Sequence, residues 1–335
     1  MSYIPIMKYK ERVDMTAYEK HDINSNDVTP MIEVFHEDKL PLNKIDGDKT
    51  FYLGILFDRN MKFQEAVDYF IDAQNIFSNM IPVINGDYNF DEKKETIKAF
   101  KKLSANFTKI AFKFNNIKSM YLHQNLENIM LMYDDILDAD IFLDVDYAYK
   151  YQPSVIVDYV DNAINILHKT IDDELENFII AGSIVKVTSA AYKSLEDNNN
   201  TPQIVENNLL QAFPMLLAKY DNIKYADYTI DEKHVFTDDE TSAMSFYPMV
   251  KHTLKDGKIA VYKSNSLRDF TKYKEIASLI YHQPYYNSSH CEGCEYVSSI
   301  VKKQEAGKGT GNPTTWKLNS MIHHIRTMGE LLGHS

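Results

Sequence analysis

Cys291 and Cys294 stand three apart in the run His290-Cys291-Glu292-Gly293-Cys294, and a histidine pair, His323-His324, follows near the end of the chain. Both cysteines and the single tryptophan, Trp316, fall in this last fifth. A C-x-x-C pair completed by His290, His323 or His324 has the spacing of a zinc site, and a cysteine beside a histidine can also act as a nucleophile. A lone C-x-x-C without a second pair reads more simply as two reduced thiols in a turn, with a histidine satisfied by a backbone carbonyl, and that reading is preferred here. Neighbouring histidines on a helix point about 100° apart, so His323 and His324 do not both hold one ion; one is expected to face the core or the mouth and the other solvent. Trp316 is expected to anchor the last helix to the barrel, with ligand stacking as its other use.

A second set of reactive side chains sits at the ends of apolar runs. Lys8 and Glu11 follow the first run, Glu33 closes the second and Asp58 ends the third; Lys113, the pair Asp144 and Asp146, and Asp227 belong to later ones. Carboxylates and lysines gathered in one place can hold a divalent ion such as magnesium, stabilise a phosphate or share acid–base work. The plainer use of each is to cap a helix or pair with a neighbour. Glu33 and Asp227 rank first, because each is a lone acid in an apolar strand and must have a partner. Asp144 and Asp146, two apart on a strand, face the same way.

The elements that position these residues are legible as a rhythm. Eight apolar runs, at 3–7, 28–35, 51–58, 80–84, 109–114, 141–146, 177–183 and 224–230, alternate with helical stretches such as 91–103, 121–136, 155–171 and 207–220. Runs that are apolar on both faces are the mark of parallel strands covered by helices. Eight such units predict an α/β fold, a (β/α)8 barrel over residues 1–231, whose strand ends meet at one mouth. An open doubly wound sheet is the alternative, but no G-x-G-x-x-G follows an early strand. Residues 232–335 read as a C-terminal extension packed on the barrel: a hairpin turning at Asp256-Gly257, a helix over 268–281, the cysteine loop and a final helix near 317–332.

The chain of 335 residues carries a formal net charge of −12, which argues against broad nucleic-acid binding. It contains neither a run long enough for a membrane span nor the order of a signal peptide, so a cytoplasmic location is expected. No G-x-S-x-G elbow supports a serine hydrolase.

Scattered short motifs resemble the beta family proteins of phages, prophages and bacterial genomes. They are Tyr3-Ile4-Pro5-Ile6-Met7-Lys8 with Glu11, Thr29-Pro30-Met31-Ile32-Glu33, Ala226-Asp227-Tyr228 with alanine where the family carries glycine, Gly311-Asn312-Pro313-Thr314-Thr315-Trp316, and His323-His324. The resemblance implies a barrel-like α/β fold and a mobile-element or phage-defence context, and it names no reaction. It groups Lys8, Glu11, Glu33, Asp227, Trp316, His323 and His324 as one shared site, with the last helix closing the barrel mouth. The expected function is therefore a role in phage–host conflict, as a hydrolase or sensor of a phosphate-containing, nucleotide-like ligand at the barrel mouth. The rival is a non-catalytic module that recognises a phage or toxin protein.

Overall fold

Eight short strands are buried along their whole length apart from single half-buried positions in two of them: β1 (Tyr3–Lys8), β2 (Met31–Val34), β3 (Phe51–Ile55), β4 (Met80–Asn85), β5 (Ala111–Phe114), β6 (Asp140–Asp144), β7 (Phe178–Ala181) and β9 (Ile223–Asp227). In the computed structural model they pair in parallel and close on themselves, β9 returning to β1 with Tyr3 opposite Tyr225. The described residues are 3–10, 12–20, 28–35, 42, 45–56, 61–86, 93–115, 117, 122–133, 138–171, 177–233, 246–303 and 309–333. Glu11 and Asp58 lie outside them.

The strands alternate between two apolar layers. Ile6, Met31, Val83, Ala111, Phe142 and Ala226 turn inward and fill the barrel. Their neighbours turn outward under the helices α1 (Asp14–Lys20), α2 (Phe63–Gln74), α3 (Lys93–Asn106), α4 (Leu122–Met130), α5 (Pro153–Ile171) and α6 (Asn208–Leu217). In α2, Phe63, Ala66, Val67, Phe70 and Ala73 lie at helical spacing and form its buried face. The barrel is a packed core and not a pore, as in other closed (β/α)8 folds.

The extension has its own core. The hairpin β10 (Met249–Thr253) and β11 (Ile259–Lys263) turns at Gly257, whose φ of 78° is a left-handed conformation that glycine adopts without steric cost. A third strand, β8 (Gln203–Val205), joins this sheet against β11, although it precedes α6 in the chain. The extension thus borrows three residues from inside the barrel segment. Helices α7 (Lys272–Tyr281) and α9 (Pro313–Gly333) pack on β10, α8 (Glu292–Lys302) packs on both of them, and α9 reaches the barrel at β1 and α1. Among the described residues no helix is long and apolar enough to cross a membrane.

Candidate functional site

Two residues beyond the inward apolar layer, the same strand faces carry charge: Lys8 follows Ile6, Glu33 follows Met31, Lys113 follows Ala111 and Asp144 follows Phe142. All four are buried, and they meet at the C-terminal mouth of the barrel. Lys113 pairs with Glu33, donates to the Tyr228 hydroxyl at 2.8 Å and lies 3.8 Å from Asp144. Tyr228 in turn donates to Asp144 at 2.6 Å. The second Glu33 oxygen, Oε2, is buried without a hydrogen-bond partner among the described residues. Asp146 follows its strand in a left-handed turn, and Lys233 ties it to Asp144 with contacts of 3.7 and 3.1 Å.

The segment 228–233 crosses this mouth. Lys8 donates to the Glu232 carbonyl at 2.6 Å, Tyr149 to the Glu232 carboxylate at 2.7 Å, and Lys233 to the Asn115 carbonyl at 2.8 Å. The expectation that the last helix covers the mouth is corrected accordingly: the strap after β9 does so, because it is the shortest covalent route out of the closing strand. Helix α9 only reaches its edge, where Lys317 pairs with Asp231. Burial pushes the Asp231 carboxyl up, but Lys317, Lys8 and Lys10 outweigh it and hold the group well below the usual carboxylate range. Burial lowers Lys8 despite Asp231 and Glu33, and it raises Asp14 to about 6.

Beside the strap lies a cavity of about 400 Å³ between barrel and extension. Its wall is mostly apolar and aromatic, with Phe246, Tyr247, Met249 and Tyr273, and its charged groups are Asp231, Lys251 and Lys317. Lys251 donates to the carbonyls of Lys186 at 2.6 Å and Ile230 at 2.8 Å. Burial depresses its pKa to about 7, with Asp231 opposing the shift. An amine with two hydrogens donated in this way keeps a lone pair when neutral. Sequence reasoning did not single out Asp231, Lys251 or Lys317, since a lysine inside a hairpin strand or on a helix reads as solvent-facing.

The depressed Lys251 has a measurable consequence. Its amine binds a proton more tightly in the unfolded chain, so its contribution makes stability rise with pH from about 7 towards its ordinary value, and flatten below about 7 where both states are charged. The stability of Lys251→Met relative to the wild type should therefore be greatest near pH 7 and fall steadily towards about pH 9. Urea unfolding of both proteins across that window checks it; a difference independent of pH would contradict it.

Asp227 does not join the mouth. It follows Ala226, which faces inward, and so faces outward from the barrel wall. There it accepts from Tyr3 at 2.7 Å and lies 3.3 Å from Nε2 of His324, whose Nδ1 meets the Thr253 hydroxyl at 2.8 Å. Asp227 and Glu33, expected in one site, are separated by the strand period. His324 is wholly buried and His323 nearly so, which corrects the expectation that one faces solvent. Helix α9 packs against α1, β1, β10 and α8 and has little free face.

His323 belongs to a different cluster. Its Nδ1 lies 3.3 Å from the Cys294 sulfur and 3.6 Å from that of Cys291, and its Nε2 donates to the Thr253 carbonyl at 2.8 Å. The thiols are not in a plain turn: Cys291 precedes α8 as its N-cap residue and Cys294 lies in its first turn. Its hydrogen-bonded neighbour Cys294 draws the Cys291 thiol down against burial, while Cys291 and burial push Cys294 up. Trp316 is placed with neither site. It stacks on Tyr273 with ring centroids 5.2 Å apart and donates to the Thr310 carbonyl at 2.8 Å, anchoring α9 within the extension and not to the barrel.

The fold and site define a class: a closed (β/α)8 barrel with a charged, strapped mouth and an annexed extension that carries a thiol–imidazole cluster. A family match extends over residues 3–330, nearly the whole chain, and the chain belongs to the Beta protein family. No curated protein matches it.

Proposed function

We infer that the chain binds a small phosphate-bearing, nucleotide-like ligand in the cavity beside the barrel mouth and hydrolyses it there. The observation that carries this reading is the convergence of Lys251, Lys317 and Asp231 on an aromatic-walled cavity of about 400 Å³. Such a cavity, largely apolar with a few convergent polar groups and perturbed acidities, is the form that ligand sites usually take. Phe246, Tyr247 and Tyr273 offer faces for a planar base, and Lys317 offers a cation for the phosphate. Lys251, neutral in part near pH 7, is the group able to take a proton from an attacking water. Asp231 links the cavity to Lys8 and through it to Glu33 and the mouth network. A role in phage–host conflict rests on the family resemblance of the sequence.

A panel of ATP, ADP, AMP, NAD and inorganic pyrophosphate tests the reading. At least one nucleotide should raise the melting temperature of the wild type and release phosphate or a nucleoside product. Lys317→Met should lose the shift, and Lys251→Met should lose turnover while keeping it. A non-catalytic protein-binding module is the second reading, favoured by the exposed Phe246, Leu267 and Phe270 of the extension. A wild type that no nucleotide stabilises, but that retains a protein partner lost by Leu267→Asp, would decide for that module.

A further inference from the structure

We propose that Cys291, Cys294 and His323 form a three-ligand site for a thiolate-preferring divalent transition-metal ion of the zinc class, with a fourth position facing a separate cavity. The three ligand atoms lie within 4.8 Å of one another, and all three residues are buried. Bonds of about 2.3 Å to sulfur and about 2.0 Å to nitrogen, at tetrahedral angles, separate the two atoms by roughly 3.5 Å. The sulfur-to-nitrogen distances are 3.3 and 3.6 Å, so the side chains already stand along the edges of such a tetrahedron. A simple thiol–imidazole hydrogen bond would bring one sulfur to Nδ1; here both approach it.

The imidazole is fixed in the ligating form. The Thr253 carbonyl can only accept, so the proton of His323 resides on Nε2 and the Nδ1 lone pair faces the sulfurs. A backbone carbonyl in this role is the usual outer partner of a metal-bound histidine. His252 stacks on the ring at 3.9 Å and 11°, which holds its plane. The backbone is shaped for the same end. A Cβ on Gly293 would stand 2.3 Å from the Asn319 carbonyl oxygen, so only glycine between the cysteines lets α8 approach α9 closely enough for the thiols to reach His323. Two sulfurs and a nitrogen select zinc-like ions over magnesium or calcium, which take oxygen.

Three protein ligands leave one position open. It faces a cavity of about 300 Å³ lined by Cys294, His323, His290, His252, Tyr285 and Glu330, towards the end of β10; this cavity shares no lining residue with the ligand cavity described above. The site is thus separate from the mouth, and its test does not depend on any nucleotide.

Full-length protein purified with zinc in the medium and then dialysed should hold about one zinc per chain by mass spectrometry. Cys294→Ser and His323→Ala should lose most of it while keeping the wild-type circular dichroism spectrum. Should those variants fail to fold, cobalt added to the metal-free wild type decides. Thiolate-to-cobalt charge transfer with the intense d–d bands of a tetrahedral centre would uphold the site. Failure to take up either metal, or cobalt bands of an all-oxygen octahedral ion, would overturn it, as would zinc retained by the folded variants.

Discussion

Lys113→Met should destabilise the protein by about 3–5 kcal/mol, the range for breaking a buried ion pair from one side. Lys113 is only 5% exposed, and its ammonium serves Glu33, Tyr228 and, at 3.8 Å, Asp144. Methionine matches the stem of the side chain and removes the charge, so little of the loss comes from packing. Asp144 keeps Lys233 at 3.1 Å, but Glu33 loses its direct partner, and its other oxygen already has none among the described residues. The cost therefore centres on Glu33. A Lys113→Met, Glu33→Leu double variant should recover most of the lost stability, because removing both charges of a buried pair is often neutral. Urea midpoints of the wild type, both single variants and the double variant give the coupling directly. Equal and additive losses would mean that the two side chains do not act as a pair.

Trp316→Ala should cost a similar amount, about 3–5 kcal/mol, through the cavity it leaves. The indole is 1% exposed, stacked on Tyr273 and edge-on to Tyr296 with both centroids 5.2 Å away, and its N–H satisfies the Thr310 carbonyl. Trp316→Phe keeps most of the packing but orphans that carbonyl, so a smaller loss of about 1–3 kcal/mol is expected. Because the chain has a single tryptophan, its fluorescence reports the extension alone, while circular dichroism reports barrel and extension together. In the wild type the two transitions should separate if the extension unfolds first. In Trp316→Ala the circular dichroism transition should broaden or split, with the barrel melting close to its original midpoint. A single sharp transition at an unchanged midpoint would contradict the anchoring role.

The barrel was legible because parallel strands covered on both faces leave continuous apolar runs, and Phe51 to Ile55 or Ile141 to Leu143 can hardly be read otherwise. The inward charges at strand ends were legible for the same reason: Glu33 and Asp144 interrupt such runs. Strand β8 was not, since Gln203, Ile204 and Val205 are a short edge whose partner lies more than fifty residues later. Which face a strand-end acid takes depends on register by a single residue, so Asp227 could be named as important without being placed. It turned out to join the barrel wall to α9 through His324 and Tyr3. The C-x-x-C was visible as a motif, but His323 completes it only because Gly293 lets two helices touch, a contact that local spacing does not encode. Buried Lys251 and half-buried Lys317 were not legible because their surroundings are created by the docking of the extension on the barrel.

The most direct test of the ligand site is where a ligand lands. Photolabelling of the full-length protein with an azido-adenine nucleotide, followed by peptide mapping, reads this without assuming a reaction. Label on the peptides that carry Phe246, Tyr247 or Tyr273, displaced by excess unlabelled nucleotide and absent from Lys317→Met, is the result predicted from the cavity between strap and extension. Label confined to other surfaces, or label that excess nucleotide does not displace, would contradict it.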